Sequence, residues 1–322
     1  MVQKIIGHES SIKFLESLLS KKIQTFLLVG PEGIGKKTVA CWYAKKLICE
    51  NKLGGDCNCR SCSLFEKHIS LDFKFLKIEG KSLKIDQISK LQESCFSHPK
   101  ISDRKVFLIP KANKMTSRAA NSLLKTLEEP PEYVTLFLTS ENLNQVLNTI
   151  RSRCSVITFN LLHRNEIKEI LEQQGYEKNI DLSAQLAFGS VKKAFALLTG
   201  DALKIRDQAI SFFDNLQSMK VYQLFEVAKD INEMFVDYLH LFLLDILLVQ
   251  SKSPVKNQDR LEDLERMASN FSKDFLVKSL ERVSVLKQSL RYNIDRDLHF
   301  SRFLLELKAL FSRYAVKCSK SL

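Results

Sequence analysis

The segment Gly30-Pro31-Glu32-Gly33-Ile34-Gly35-Lys36-Lys37-Thr38 stands between an apolar run, Phe26-Leu27-Leu28-Val29, and a helical pattern from Thr38 to Leu47. Strand, glycine loop and helix in that order form the context of a phosphate-cradling loop. Glycines let backbone N–H groups turn inward around phosphate oxygens, and the helix N-terminus adds partial positive charge. Lys36 stands where a lysine reaches the outer phosphates. The next position calls for Ser or Thr, whose hydroxyl ligates magnesium, and Lys37 stands there instead. Hydrolysis further requires acids at the end of a neighbouring strand, to hold magnesium and orient water. The candidate strand ends in Pro110-Lys111-Ala112-Asn113, without an acid, and Asp103 lies at its wrong end. Gly30, Gly33, Gly35, Lys36, Lys37 and Thr38 are therefore read as a degenerate phosphate loop. ATP/Mg2+ binding there is doubtful, and hydrolysis by the chain alone is not expected.

The loop opens a longer alternation. Helix patterns cover Ser10–Leu19, Ile85–Phe96, Ser117–Leu127 and Leu143–Ile150. Strand patterns cover Phe26–Val29, Phe73–Ile78, Val106–Ile109, Val134–Thr139 and Ser155–Phe159. Apolar strands separated by helices predict an α/β domain with a mostly parallel sheet covered on both faces. After Asn160 the strand signals stop. Three short helices follow, Arg164–Gln174, Leu182–Phe188 and Val191–Leu198, the last two split by Gly189-Ser190. Long amphipathic helices complete the chain: Ala202–Gln217, Val221–Val249, Arg260–Ala268, Lys273–Tyr292 and Asp295–Cys318, with a loop at Ser251–Asp259. Glycine is absent after Gly200, which suits uninterrupted helices. The expected division is residues 1–161, 162–201 and 202–322.

The 322 residues are 45% hydrophobic, ample for real cores, and carry a formal net charge of +12, which suits acidic partners such as nucleic acid. Met1–Ser20 is amphipathic with internal charges, not a signal peptide, and Leu239–Val249 is too short to span a bilayer. A cytoplasmic protein without membrane partners is expected. Eight cysteines in such a chain are not read as disulfides. Four of them, Cys49, Cys57, Cys59 and Cys62, have the spacing C-x7-C-x-C-x2-C, with Gly54 and Gly55 supplying turns. They either close a tetrahedral, structural zinc site or form a reduced, metal-free loop.

Arg153 follows a helix and precedes a strand, where a guanidinium is able to reach a neighbouring subunit, although most surface arginines are solvated or paired. Leu123, Leu124 and Leu127 form the buried stripe of a helix ending at Pro130-Pro131. Glu128 and Glu129 read as its solvated end.

In combination, Ile6-Gly7-His8, the Gly30–Thr38 loop, the cysteine cluster, Lys114-Met115-Thr116, Ala119–Pro131 and Ser152-Arg153-Cys154 resemble the clamp-loader branch of the AAA+ proteins. The resemblance covers residues 1–160. Beyond them Gly189-Ser190 and the 293–306 region look familiar. It implies an AAA+ P-loop domain, a small helical lid and an all-α collar that joins a five-membered ring. It also implies zinc on the four cysteines, and Arg153 acting in trans as an arginine finger on ATP held by an adjacent subunit. The implied partners are gamma/tau-type motor subunits, a delta subunit, the sliding clamp and, through the assembled complex, primed DNA. Two departures stand out. One residue, not two, separates Cys57 from Cys59, and Lys192 replaces the arginine that follows the Gly-Ser pair. The rival readings are an ATP-hydrolysing motor subunit of the same fold and a zinc-containing DNA-binding protein. The rival motor needs an acid that reaches magnesium from elsewhere in the chain. The rival DNA-binding protein needs a clustered basic and aromatic tract, which the sequence lacks.

Overall fold

A computed structural model describes residues 5–19, 24–52, 57–78, 80, 82–290 and 296–314. Gly54, Gly55, Tyr292, Asp295 and Cys318, to which the expected turns and helix ends were assigned, lie outside the described residues. The described chain divides into two compact units, which part between Ala194 and Phe195.

The first unit runs α1 (Glu9–Ser17), β1 (Thr25–Val29), α2 (Lys36–Ile48), α3 (Arg60–Glu66), β2 (Phe73–Phe75), α4 (Ile85–Cys95), β3 (Lys105–Ile109), α5 (Ser117–Glu128), β4 (Val134–Ser140), α6 (Asn148–Arg151) and β5 (Ser155–Thr158). Helices α7 (Arg164–Gln173), α8 (Ile180–Leu186) and the start of α9 (Val191–Leu198) complete it. All strand pairs are parallel, in the order β2-β3-β4-β1-β5. Strands β1, β3 and β4 are buried along their whole length, as expected where helices cover both faces. Alternation sorts their side chains into two cores. Phe26, Leu28, Val106, Leu108 and Phe137 pack with Leu15, Val39, Tyr43 and Ile48 from α1 and α2. Leu27, Val29, Phe107, Ile109, Leu136 and Leu138 pack with Ile88, Leu91, Leu123, Leu127 and Ile150 from α4, α5 and α6. Phe26 and Phe137 stack at 5.0 Å on neighbouring strands, with Tyr43 edge-on to both.

Strand β2 is shorter than the expected Phe73–Ile78, and its entry is pinned by Asp72, only 2% exposed. The Asp72 carboxylate accepts the backbone N–H groups of Lys100 at 2.6 Å, Ile101 at 2.8 Å and Ser102 at 2.9 Å. Burial works to raise its pKa, but these donors outweigh burial and hold the carboxyl below its ordinary value. Its contribution to stability is therefore complete above the unfolded-state pKa and is lost as pH falls through the lower folded-state one. Asp72→Asn is expected to cost about 2–3 kcal/mol, read as a lower urea midpoint at neutral pH. The gap to wild type should narrow below about pH 4. Equal midpoints at neutral pH would contradict this account.

The second unit holds the rest of α9 and α10 (Asp201–Asn215), α11 (Val221–Asp230), α12 (Glu233–Gln250), α13 (Leu261–Asn270), α14 (Lys273–Ser289) and α15 (Arg296–Tyr314). Phe213 is at the centre of an aromatic core with Phe242, Phe271, Phe275 and Phe311. Two expected helices are corrected. Val221–Val249 is not continuous: Ile231 is extended, and the Asn232 side chain accepts the Phe235 N–H at 3.0 Å, starting a new helix. Leu143–Ile150 is a short 3-10 turn, Leu143–Gln145, and then α6, because Val146 and Leu147 are extended. Helix α3 was not foreseen; its seven residues follow the cysteine loop. No helix among the described residues is long and apolar enough to cross a membrane.

Candidate phosphate loop, cysteine cluster and exposed arginine

The phosphate loop leaves the end of β1, where Gly30 donates its N–H to the Ser140 carbonyl of β4 at 3.1 Å. Gly33 has φ +78°, and a Cβ there would sit 2.4 Å from the Ser190 hydroxyl and 2.5 Å from Lys192 Cβ. The start of α9 is thus laid directly on the loop. The Ser190 hydroxyl donates to the Glu32 carbonyl at 3.0 Å, and the Lys192 N–H to the Gly33 carbonyl at 3.2 Å. Gly35, at φ +101°, is the N-cap of α2. The His8 ring reaches the Ile34 carbonyl at 2.7 Å.

The loop lysines are engaged within the chain. Lys36 Nζ donates back to the Gly30 and Pro31 carbonyls at 2.5 and 2.6 Å. Burial holds its ammonium below the usual lysine range, against the pull of Glu141 and Glu32. Lys37 stands 4.0 Å over the Phe75 ring of β2. Thr38 is exposed on the first turn of α2.

At the end of β3, Lys111 adopts φ +50° and turns its ammonium to Glu32 at 3.1 Å and Glu141 at 3.6 Å. Glu32 also pairs with Lys192 at 3.2 Å. Burial acts to raise the Glu32 pKa, but Lys111 and Lys192 outweigh it and keep the carboxyl below its ordinary value. Sequence reading missed Glu32 and Glu141. Both carboxylates act on Lys36 of the loop, and both are paired with Lys111, two residues past the end of β3. The signal was present in Glu32, inside the loop itself, and in Glu141, one residue past β4.

The four cysteines converge. Cys49 ends α2, Cys59 is the N-cap of α3, and Cys62 lies within α3. Their sulfurs all fall within 4.8 Å of one another, with Cys49–Cys57 at 3.4 Å and Cys57–Cys62 at 3.8 Å. Four thiolates around zinc at about 2.3 Å stand about 3.8 Å apart, so the set fits a tetrahedral ion despite the single residue between Cys57 and Cys59. The Cys62 N–H points at Cys59 Sγ from 3.5 Å. Burial, and then the neighbouring thiols, push the Cys62 thiol up. Lys45 and Glu66, paired at 2.8 Å, tie α3 to α2.

Arg153 sits at the other end of the sheet. The Thr25 hydroxyl, at the start of β1, donates to the Arg153 carbonyl at 2.6 Å, whereas the phosphate loop follows the end of β1. The strand alone separates them by about 13 Å. The Arg153 guanidinium pairs with Glu128 through Nε at 2.6 Å and through Nη2. Nη1 donates to the Thr149 carbonyl at 2.8 Å and lies 3.3 Å from Ser152 Oγ. Glu128 is therefore paired with Arg153, not simply a solvated helix end. Arg153 still has 31% of its side chain exposed.

The family described as "DNA polymerase III, delta subunit" matches residues 7–163, and its C-terminal counterpart matches residues 200–309. Among relatives, the delta' subunit of Bacillus subtilis (strain 168) is 28% identical over 283 residues, covering 84% of this chain and 86% of that protein. This chain belongs to the delta-prime family of DNA polymerase III. The Haemophilus influenzae delta' subunit is 26% identical over 276 residues, covering 83% of each chain. The DNA polymerase III gamma subunit of Buchnera aphidicola (subsp. Schizaphis graminum) is 34% identical over 209 residues, covering 61% of this chain. The match spans only 57% of that gamma subunit.

Proposed function

We propose that the chain is a non-hydrolysing subunit of a DNA polymerase III clamp loader and that it completes the ATP site of a neighbouring subunit. The observation that carries this reading is the separation of two features that one active site would need together. The phosphate loop is neutralised by its own side chains, while Arg153 stands at the opposite end of β1, partly exposed and too far away to serve that loop. A guanidinium in that place suits a γ-phosphate held by another chain, where it would stabilise the charge that develops on transfer. Ser152-Arg153-Cys154 is the segment the clamp-loader resemblance assigns to this role.

Under this reading residues 1–161 form the AAA+ domain, α7 to α9 (162–201) the small lid, and 202–322 the collar that joins the ring. The partners are gamma/tau-type motor subunits, a delta subunit, the sliding clamp and primed DNA, and the setting is the cytoplasm. Cys49, Cys57, Cys59 and Cys62 hold zinc as a closed structural site, with no open position for catalysis. The net charge of +12 suits a complex that works on DNA.

The test is ATP turnover by the purified chain, alone and then mixed with gamma/tau-type subunits, the delta subunit and clamp. No turnover alone, with turnover in the mixture, supports the reading. Turnover by the isolated chain that Lys36→Ala abolishes would replace it with a motor subunit.

A further inference from the structure

The charges around the phosphate loop are satisfied from within the chain, and one side chain is at the centre of that arrangement. Glu32 belongs to the loop itself, yet its carboxylate takes Lys111 from the end of β3 and Lys192 from the start of α9. Its own backbone carbonyl takes the Ser190 hydroxyl. A phosphate arriving here would draw on the same set: an ammonium beyond β3, another on α9, and Lys36.

We propose that Glu32 is an intramolecular anion that holds Lys111 and Lys192 in the place of a phosphate, an autoinhibitory contact that keeps polyphosphates out of the loop. The pairs are partly exposed, with Glu32 at 48% and Lys192 at 68%, so their value to stability is small. Their effect is competitive. A carboxylate tethered in the loop acts at an effective concentration of about millimolar or more, which a free anion must overcome. That anion also meets repulsion from Glu32 and Glu141. With the Glu32 charge removed, Lys36, Lys111 and Lys192 face the loop against Glu141 alone among the acids named here. Glu32 and its two lysines act at the loop independently of Arg153 and of ring membership.

Isothermal titration of the full chain with inorganic tripolyphosphate, and separately with ATP, both without magnesium, tests it. Wild type should show no saturable binding at millimolar ligand. Glu32→Gln and Glu32→Ala should each gain saturable binding, at least about ten-fold tighter than any wild-type signal and weakened by salt. Adding Lys192→Ala to Glu32→Gln should remove the gain. Wild-type binding as tight as that of Glu32→Gln would overturn the proposal. So would the absence of binding by both single variants, or a gain that survives Lys192→Ala.

Discussion

Arg153→Ala is expected to cut ATP turnover by the reconstituted complex about ten-fold or more while the chain still folds and assembles. Folding should survive because the Arg153–Glu128 pair is exposed on both sides, at 31% and 46%, and such pairs contribute about 0–1 kcal/mol. Turnover should fall because a finger acts on the transition state, where removing a positioned charge is costly. Arg153→Lys should restore little. A lysine keeps the charge but not the planar fork that engages Glu128 and a phosphate from fixed directions. The decisive comparison is turnover at saturating ATP in complexes of equal composition. If the Arg153→Ala complex turns over like wild type, the trans role is lost, although the family placement stands. If assembly itself fails, the Arg153→Lys complex separates a packing role from a catalytic one, since it preserves the side chain's bulk and charge.

The second large effect is expected at the cysteine cluster. The purified chain should carry one zinc ion, measured by mass spectrometry of the native protein, and Cys62→Ser should lose it. Cys62 is fully buried, and burial already pushes its thiol up, so a thiolate there is costly unless a cation stands beside it. Zinc supplies that cation, and binding it releases thiol protons, so retention should weaken as pH falls. Without the metal, α3 is a seven-residue helix, too short to be stable alone, held by the Lys45–Glu66 pair, the Ser61 N–H on Glu50 and the Phe65 ring against Phe73. A fall in melting temperature of about 5–10 °C is expected for Cys62→Ser and for wild type treated with a strong chelator. Protein that carries no metal, and whose melting is indifferent to chelator, would mean a reduced thiol loop.

The layout of the first unit was legible in the chain because its determinants are local. Unbroken apolar runs in Phe26–Val29 and Val106–Ile109 announce strands buried on both faces, and the glycine loop announces its strand and helix. The cysteine spacing announced a cluster, and the structure brings all four sulfurs together. Helix boundaries were less secure where a cap overrides an apolar pattern, as at Asn232, which splits the expected Val221–Val249 helix. What only the tertiary structure decided are the pairings between charges far apart in sequence. Glu32 meets Lys111 and Lys192, and Glu128 meets Arg153, across 25 to 160 residues of chain. No periodicity encodes such partners, because an ionic contact depends on where the backbone brings two side chains and not on their spacing. The sequence by itself determined a glycine loop between a strand and a helix, a neighbouring strand that ends without an acid, and an arginine at a helix–strand junction. The folded chain decided that Glu32 pairs with Lys111 and Lys192 beside the loop and that the arginine stands at the far end of the strand from it.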